Sequence, residues 1–177
     1  MITILNTRDE LMSLIEPYSK VLEIGVFKGE FAEVLLTTEP KELYLVDIWQ
    51  GEWGSGDKNG NNYISISDME VEYLKIYNKY ITVPNIHVIR SKSNTFFQSI
   101  EDNYFDVVYI DGDHEQQAVY NDMINAFRVV KNGGWMMGHD YHSQIKTSVD
   151  IFCNNYEQKI SYIANDGCPS FAIQLIK

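Results

Sequence analysis

The sequence has little cysteine, little basic charge and no long apolar run, and each shortage removes a class of protein. Its 177 residues contain two cysteines, Cys153 and Cys168, far from any C-x-x-C spacing. They read as two buried thiols, with a single disulfide as the alternative. Acidic residues outnumber basic ones 25 to 14, for a formal net charge of -11. Lys75, Lys79, Arg90 and Lys92 are scattered singly rather than gathered into a patch. Such a chain repels phosphate backbones, so nucleic acid is excluded as the expected partner. No apolar run comes near the roughly 20 residues that span a bilayer, so no membrane partner is expected. The opening MITILNTRDELMSLIEP has no basic leader before its short apolar stretch, and acidic residues follow at once. A secretory signal is therefore not expected, and the cytoplasm is the expected location. Internal repeats are absent, and so is the G-x-G-x-x-G of a dinucleotide loop.

What is present is a balance of 45% hydrophobic and 22% charged residues, the composition of a globular protein. The length suits one domain, residues 1–177, around one core. Short apolar runs alternate with helical patterns. VLEIGV, ELYLVDI, HVIRS, FDVVYID, GGWMMGHD, KISYIAN and SFAIQLI read as strands. Helices are predicted over 7–17, with Thr7 as N-cap and Glu10 three residues on, and over 29–37, 115–131 and 147–157. Asn132-Gly133-Gly134 is the predicted C-cap of the third of these. Continuous apolar strands separated by helices imply a parallel sheet covered on both faces. Only a short turn separates the last two strands, so they should form an antiparallel hairpin. The expected fold is therefore α/β: a single Rossmann-like, doubly wound sheet of seven strands, mostly parallel, with one antiparallel strand in a C-terminal hairpin. Residues 49–68 interrupt the pattern with Gly51, Gly54, Gly56, Gly60, Trp49 and Trp53. They are read as a substrate-facing lid, the alternative being that both tryptophans pack on the sheet edge.

In such a sheet ligands bind beyond the carboxyl ends of the strands. The first predicted strand ends at Glu23-Ile24-Gly25, and Gly29 opens the next helix. The second ends at Asp47, a carboxylate placed to accept hydrogen bonds from ribose hydroxyls. The fourth ends in Asp111-Gly112-Asp113-His114 and the fifth in Gly138-His139-Asp140-Tyr141-His142. Adjacent tips would bring these two clusters together, with carboxylates suited to a hard divalent cation and histidines suited to proton transfer or to softer metals. The alternative is that the aspartates are solvated strand ends or helix caps.

With these residues in hand, the sequence resembles the class I S-adenosylmethionine-dependent methyltransferases. Within them it is most similar to the metal-dependent small-molecule and sugar O-methyltransferases, which include catechol O-methyltransferase and the macrolide-sugar enzymes. The E-x-G-x-x-x-G spacing of Glu23, Gly25 and Gly29 carries the likeness, together with Asp47 and the Y-I-D-G-D-H and G-H-D-Y stretches. The resemblance implies S-adenosyl-L-methionine as cofactor, held by Glu23, Gly25, Phe27, Gly29, Asp47, Ile48, Ser91, Lys92, Ser93 and Asp111. It implies a metal, Mg2+ or another divalent ion, at Asp111 and Asp140. Tyr141 stands where catechol enzymes place an asparagine ligand, with His139 or His142 as alternative ligands. His114 falls where they place a lysine base, and His114 and Asp111 become the catalytic residues. Phe31 departs from a serine that touches the cofactor in those enzymes. The implied reaction is methyl transfer to a hydroxyl of a small polar or sugar-like acceptor, in a chain that forms either a monomer or a homodimer. A nicotinamide-dependent oxidoreductase and a non-catalytic nucleoside-binding protein are the competing readings.

Overall fold

Leu22 and Ile24 face one apolar layer of the protein while Val21 faces another, and this alternation sets the architecture. A strand whose successive side chains both meet packed atoms must lie inside a sheet covered on two faces. The structure, a computed structural model, describes residues 1–51, 65–165 and 167–177. Among these, the strands are β1 (Thr3–Leu5), β2 (Lys20–Ile24), β3 (Glu42–Asp47), β4 (Ile86–Arg90), β5 (Phe105–Ile110), β6 (Val130–Gly138), β7 (Tyr162–Ala164) and β8 (Ser170–Gln174). They form one sheet in the order β1-β7-β8-β6-β5-β2-β3-β4. Strand β8 runs antiparallel to both β6 and β7, and every other pairing is parallel. The helices are α1 (Glu30–Leu36), α2 (Ile66–Tyr80), α3 (Ser93–Gln98), α4 (Gln116–Val129) and α5 (Ser143–Asn155). One face of the sheet packs on Phe97 of α3, Met123 of α4 and Phe152 of α5. The other packs on Leu35 of α1, Ile76 of α2 and Leu11 of the 3₁₀ segment Arg8–Leu14.

All seven expected strands form, and β1 adds an eighth. Its three residues are too short to be recognised without their parallel partner β7. The first expected helix is a 3₁₀ segment, and the Thr7 side chain makes no capping bond. Glu10 reaches instead to the Asn6 N–H at 3.4 Å. The C-cap expected at Asn132-Gly133-Gly134 is corrected: α4 stops at Val129 and the chain passes directly into β6. The glycines serve the sheet. A Cβ on Gly134 would sit 2.6 Å from the Asp106 carbonyl, at the register shift between β5 and β6. Helices α2 and α3 were not anticipated, although α2 opens on a capping box made by Ser65 and Asp68.

Most of the expected 49–68 lid, including Trp53, lies outside the described residues. Trp49 is fully buried, its ring 5.2 Å from that of Tyr73 on α2. The thiols also depart from expectation, Cys153 being half-buried and Cys168 exposed. Among the described residues no helix is long and apolar enough to cross a membrane.

Chain order reverses at β2: the chain runs outward through β3 and β4, then returns to β5 on the other side. The carboxyl ends of β2 and β5 therefore border the switch point where such sheets bind ligands. At the opposite end, Asp106 ties three strands together. Its Oδ2 accepts the Lys20 N–H at 2.8 Å and its Oδ1 accepts Lys131 Nζ at 2.6 Å. Asp106→Ala should lose about 1.5–3 kcal/mol in urea unfolding, the range for a hydrogen bond to a charged group. Lys131→Met, which removes only a half-exposed ion pair, should lose less than about 1 kcal/mol. Equal losses would show that the Lys20 contact contributes nothing.

Candidate active site at the strand tips

Gly25 marks the closest approach in the site. It adopts φ +87°, and a Cβ there would lie 2.0 Å from the Asp111 carbonyl oxygen. The Asp111 N–H donates to Ile24 at 2.7 Å, and the Gly25 N–H donates to Val46 at 2.9 Å. The chain leaves β2 wedged between the tips of β3 and β5, and only glycine fits.

Asp47, at the tip of β3, holds the loop that follows. Its Oδ2 accepts the N–H groups of Val26 and Phe27, each at 2.9 Å, and its Oδ1 accepts that of Trp49 at 2.7 Å. The Trp49 indole donates to the Phe27 carbonyl at 2.9 Å. Phe27 and Trp49 both take positive φ, 51° and 38°. Such conformations persist where the surroundings over-determine them, as these bonds do. Arg90 Nη2 reaches the Trp49 carbonyl at 2.8 Å from the other side.

Below this loop, Glu23 is buried at 1% exposure, and its Oε2 has no hydrogen-bond partner. Burial holds its carboxyl well above the usual glutamate range, Asp111 and Asp47 push the same way, and Arg8 opposes them. A cleft of about 790 Å³ is lined by its neighbours Ile24 and Gly25 but not by Glu23 itself. Phe27, Asp47 and Ile48 line one side, Ser91, Lys92 and Ser93 another, and Asp111 and His114 a third. From α4, Asn121 and Asp122 enter the same cleft. Asp122 is buried at 4% exposure, and burial raises its carboxyl to about 6 against the Ser93 hydroxyl, which lowers it.

The tips of β5 and β6 bring carboxylates and imidazoles together. His139 Nδ1 lies 3.7 Å from Asp111 Oδ1 and 3.6 Å from Asp140 Oδ1. The two carboxylates, Asp111 first, raise His139 to about 9. His139 in turn draws Asp140 down to about 2. His114 Nε2 is 3.4 Å from Asp140 Oδ2 and 4.0 Å from Asp111 Oδ1. Asp111, His139 and Asp140 each offer a ligand atom, all within 4.8 Å of one another. Arg8 Nη1 approaches Asp111 Oδ2 at 3.9 Å, its guanidinium stacked 4.5 Å over the Phe31 ring.

A family profile described as "Methyltransferase domain" matches residues 22–141, more than half of the chain. The chain belongs to that family. As a methyltransferase its fold has wide company among solved structures. It is similar to the N-methyltransferase NodS of Bradyrhizobium japonicum WM9 with TM-score 0.64 and 13% identity, covering 96% of this chain and 95% of that one. A SAM-dependent methyltransferase of Aquifex aeolicus matches with TM-score 0.63 and 12% identity, covering 96% and 90%. The fibrillarin pre-rRNA processing protein of Methanococcus jannaschii matches with TM-score 0.62 and 16% identity, covering 90% and 67%. At these identities the likeness is one of fold. No curated protein matches the sequence. The family match sets aside the nicotinamide-dependent oxidoreductase.

The structure of this methyltransferase gathers most of the residues singled out in its sequence. Gly25, Phe27, Asp47, Ile48, Ser91, Lys92, Ser93, Asp111 and His114 all line the cleft. Gly29 opens α1 at φ +76° but faces Ile76 of α2 rather than the cleft lining. Tyr141 lies beside the metal-type cluster, yet its hydroxyl donates to Asp150 on α5 at 2.8 Å. That hydroxyl is engaged on α5, whereas His139 stands between the two carboxylates. Asp47 has three backbone donors on its carboxylate, a duty beyond the ribose contact expected of it. Asp122 was missed, although an acid on the apolar face formed by Val119, Met123 and Ala126 was a readable signal. Arg8 carried no such signal.

The raised Glu23 carboxyl generates a pH-dependent expectation. A group with a raised folded-state value contributes stability at acid pH that is lost as pH rises through that value. Glu23→Gln should therefore raise Tm at pH 7–8. The gain should shrink toward zero as pH falls to the ordinary glutamate range, about 4.3. A pH-independent difference in thermal denaturation would contradict burial of an ionisable carboxyl.

Proposed function

We propose that this chain is an S-adenosylmethionine-dependent methyltransferase that acts on a hydroxyl of a small polar or sugar-like acceptor, assisted by a divalent cation. The observation that carries the reading is one of continuity. Asp111 and His114 line the same cleft as Asp47 and Ile48, so nucleoside-type and proton-transfer groups share one space.

The residues present fit the cofactor. A cleft of about 790 Å³ is of the size that encloses small ligands. Glu23 does not itself line the cleft, but its unpartnered, buried carboxyl interacts with Asp47 and Asp111, which do. The ammonium of an amino-acid tail there would favour its ionised form, because a buried acceptor without a donor is costly until a ligand supplies one. S-adenosylmethionine, when bound, supplies an electrophilic methyl group. Asp47 and its loop would hold the ribose end, and Ser91 to Ser93 with Asp122 would border the base. Asp111, His139 and Asp140 form an O,N,O donor set that suits a divalent cation, which would acidify an acceptor hydroxyl.

His114 takes the acceptor proton on Nε2, and Asp140, 3.4 Å away, steadies the imidazolium that results. The ring is half exposed at the cleft mouth, open to an acceptor arriving from solvent. Asp111 and Asp140 fix the approach of the acceptor oxygen, and such alignment lowers the barrier by removing motion that must otherwise be lost.

Isothermal titration with S-adenosylmethionine and with its demethylated product tests the cofactor, and the absence of heat for both would overturn the reading. Demethylated product released in the presence of a panel of hydroxylated acceptors reports turnover. His114→Ala should lower kcat about 10²–10⁴-fold with cofactor affinity unchanged. Asp111→Asn should abolish transfer while largely retaining cofactor binding. Binding without turnover on any acceptor would favour the nucleoside-binding protein instead.

A further inference from the structure

A second set of ligand atoms lies on the outer side of Asp140. A carboxylate oxygen of Asp140, Nε2 or Nδ1 of His142 and Sγ of Cys168 offer three donors, all within 4.8 Å of one another. The three come from two separate places in the chain. Asp140 and His142 follow β6, while Cys168 sits in the turn between β7 and β8. A backbone bond joins them: the Tyr141 N–H donates to the Pro169 carbonyl at 2.6 Å. The turn is thereby pinned against the segment that carries the other two donors.

The orientation of His142 is set by its neighbours. Its Nδ1 lies 3.1 Å from the Ser143 hydroxyl, and its Nε2 lies 3.4 Å from Asp140 Oδ1. One ring nitrogen held by an outer partner while the other faces a carboxylate is the arrangement that orients a ligating histidine. Asp140 is nine-tenths buried and forms the floor, whereas His142 and Cys168 are exposed at the rim.

Donor chemistry separates this set from the neighbouring Asp111, His139 and Asp140. A thiolate beside an imidazole and one carboxylate selects zinc or another borderline-soft ion over magnesium. Around a tetrahedral zinc, bonds of 2.0–2.3 Å place ligand atoms about 3.4 Å apart. His142 Nε2 and Asp140 Oδ1 already lie at 3.4 Å, and no pair needs to close by more than about 1.4 Å. Three protein ligands leave a fourth position open.

We propose that Asp140, His142 and Cys168 form a zinc-type site at the mouth of the cleft, sharing Asp140 with the hard-cation set beside it. Binding carries the Cys168 thiol proton into water and leaves the sulfur as thiolate. Asp140 belongs to both sets, so occupancy of the outer site draws on the carboxylate that faces His114. The zinc site itself does not depend on the methyl-transfer reading.

The test uses the full chain, a phosphine reductant and metal salts alone. Equilibrium dialysis of the Asp111→Asn chain, in which the neighbouring hard-cation set is broken, should retain Zn2+ and not Mg2+. Co2+ in its place should give the near-ultraviolet thiolate-to-metal absorption. That absorption should persist in Cys153→Ser and Asp111→Asn, and vanish in Cys168→Ser. His142→Gln should weaken Zn2+ binding at least about tenfold. Zn2+ should also slow the reaction of Cys168 with a thiol reagent. The proposal is overturned if the absorption survives Cys168→Ser, if Asp111→Asn removes it, or if Cys168 reacts equally fast with zinc bound. His142 and Cys168 are exposed, so unchanged metal-free Tm values for their variants confirm that folding is not what is being read.

Discussion

The site depends on one close contact between backbones, that of Gly25 with the Asp111 carbonyl. A sheet that reverses direction at β2 leaves a gap between neighbouring strand tips, and the width of the gap is set by how tightly the chain turns out of it. With no side chain at residue 25, the β2 and β5 tips converge, and everything beyond them is placed by that convergence. Asp111 and His114 follow from the β5 side. The loop over 25–29 follows from the β2 side, and Asp47 then locks it by accepting two of its backbone N–H groups, and a third from Trp49. A carboxylate used in this way acts as a structural hub as well as a wall of the cleft.

Charge is the second constraint. Asp47, Asp111, Asp113 and Asp122 line one cleft, with Glu23 interacting with two of them and Asp140 beside His114, in a chain of net charge -11. Burial first, and neighbouring carboxylates second, raise Glu23 and Asp122. His139 answers part of that charge and Arg8 another part. A space so arranged favours ligands that bring positive charge, whether a metal ion, an ammonium or a sulfonium. The same electrostatics that make the cleft costly in the free protein make it selective for such partners, which is the usual relation between stability and function at a site.

Much of this was legible in the sequence because it rests on local pattern. Strands buried on both faces read as apolar runs, and parallel connection puts their carboxyl ends on one side. Gly25, Asp47, Asp111 and Asp140 could therefore be assigned to a common edge from spacing and handedness alone. The reversed strand β8 was equally readable, since a turn as short as 165–169 cannot carry a crossover. What misled was local grammar overridden by packing. Gly133 and Gly134 look like a helix stop, yet both lie inside β6, where Gly134 relieves crowding against the Asp106 carbonyl and Gly133 takes a positive φ of 81°.

By itself, then, the sequence determined the sheet, its one reversed strand and the edge on which the chemistry collects, because periodicity and chain connectivity suffice for these. Only the tertiary structure decided what each polar group does there. Asp47 is occupied by backbone donors, Tyr141 is turned to Asp150, Asp122 enters the cleft from α4, and Cys168 meets His142 across 26 residues of chain. Side-chain direction and the meeting of distant segments follow from how helices and turns pack onto the sheet, and no spacing along the chain encodes them.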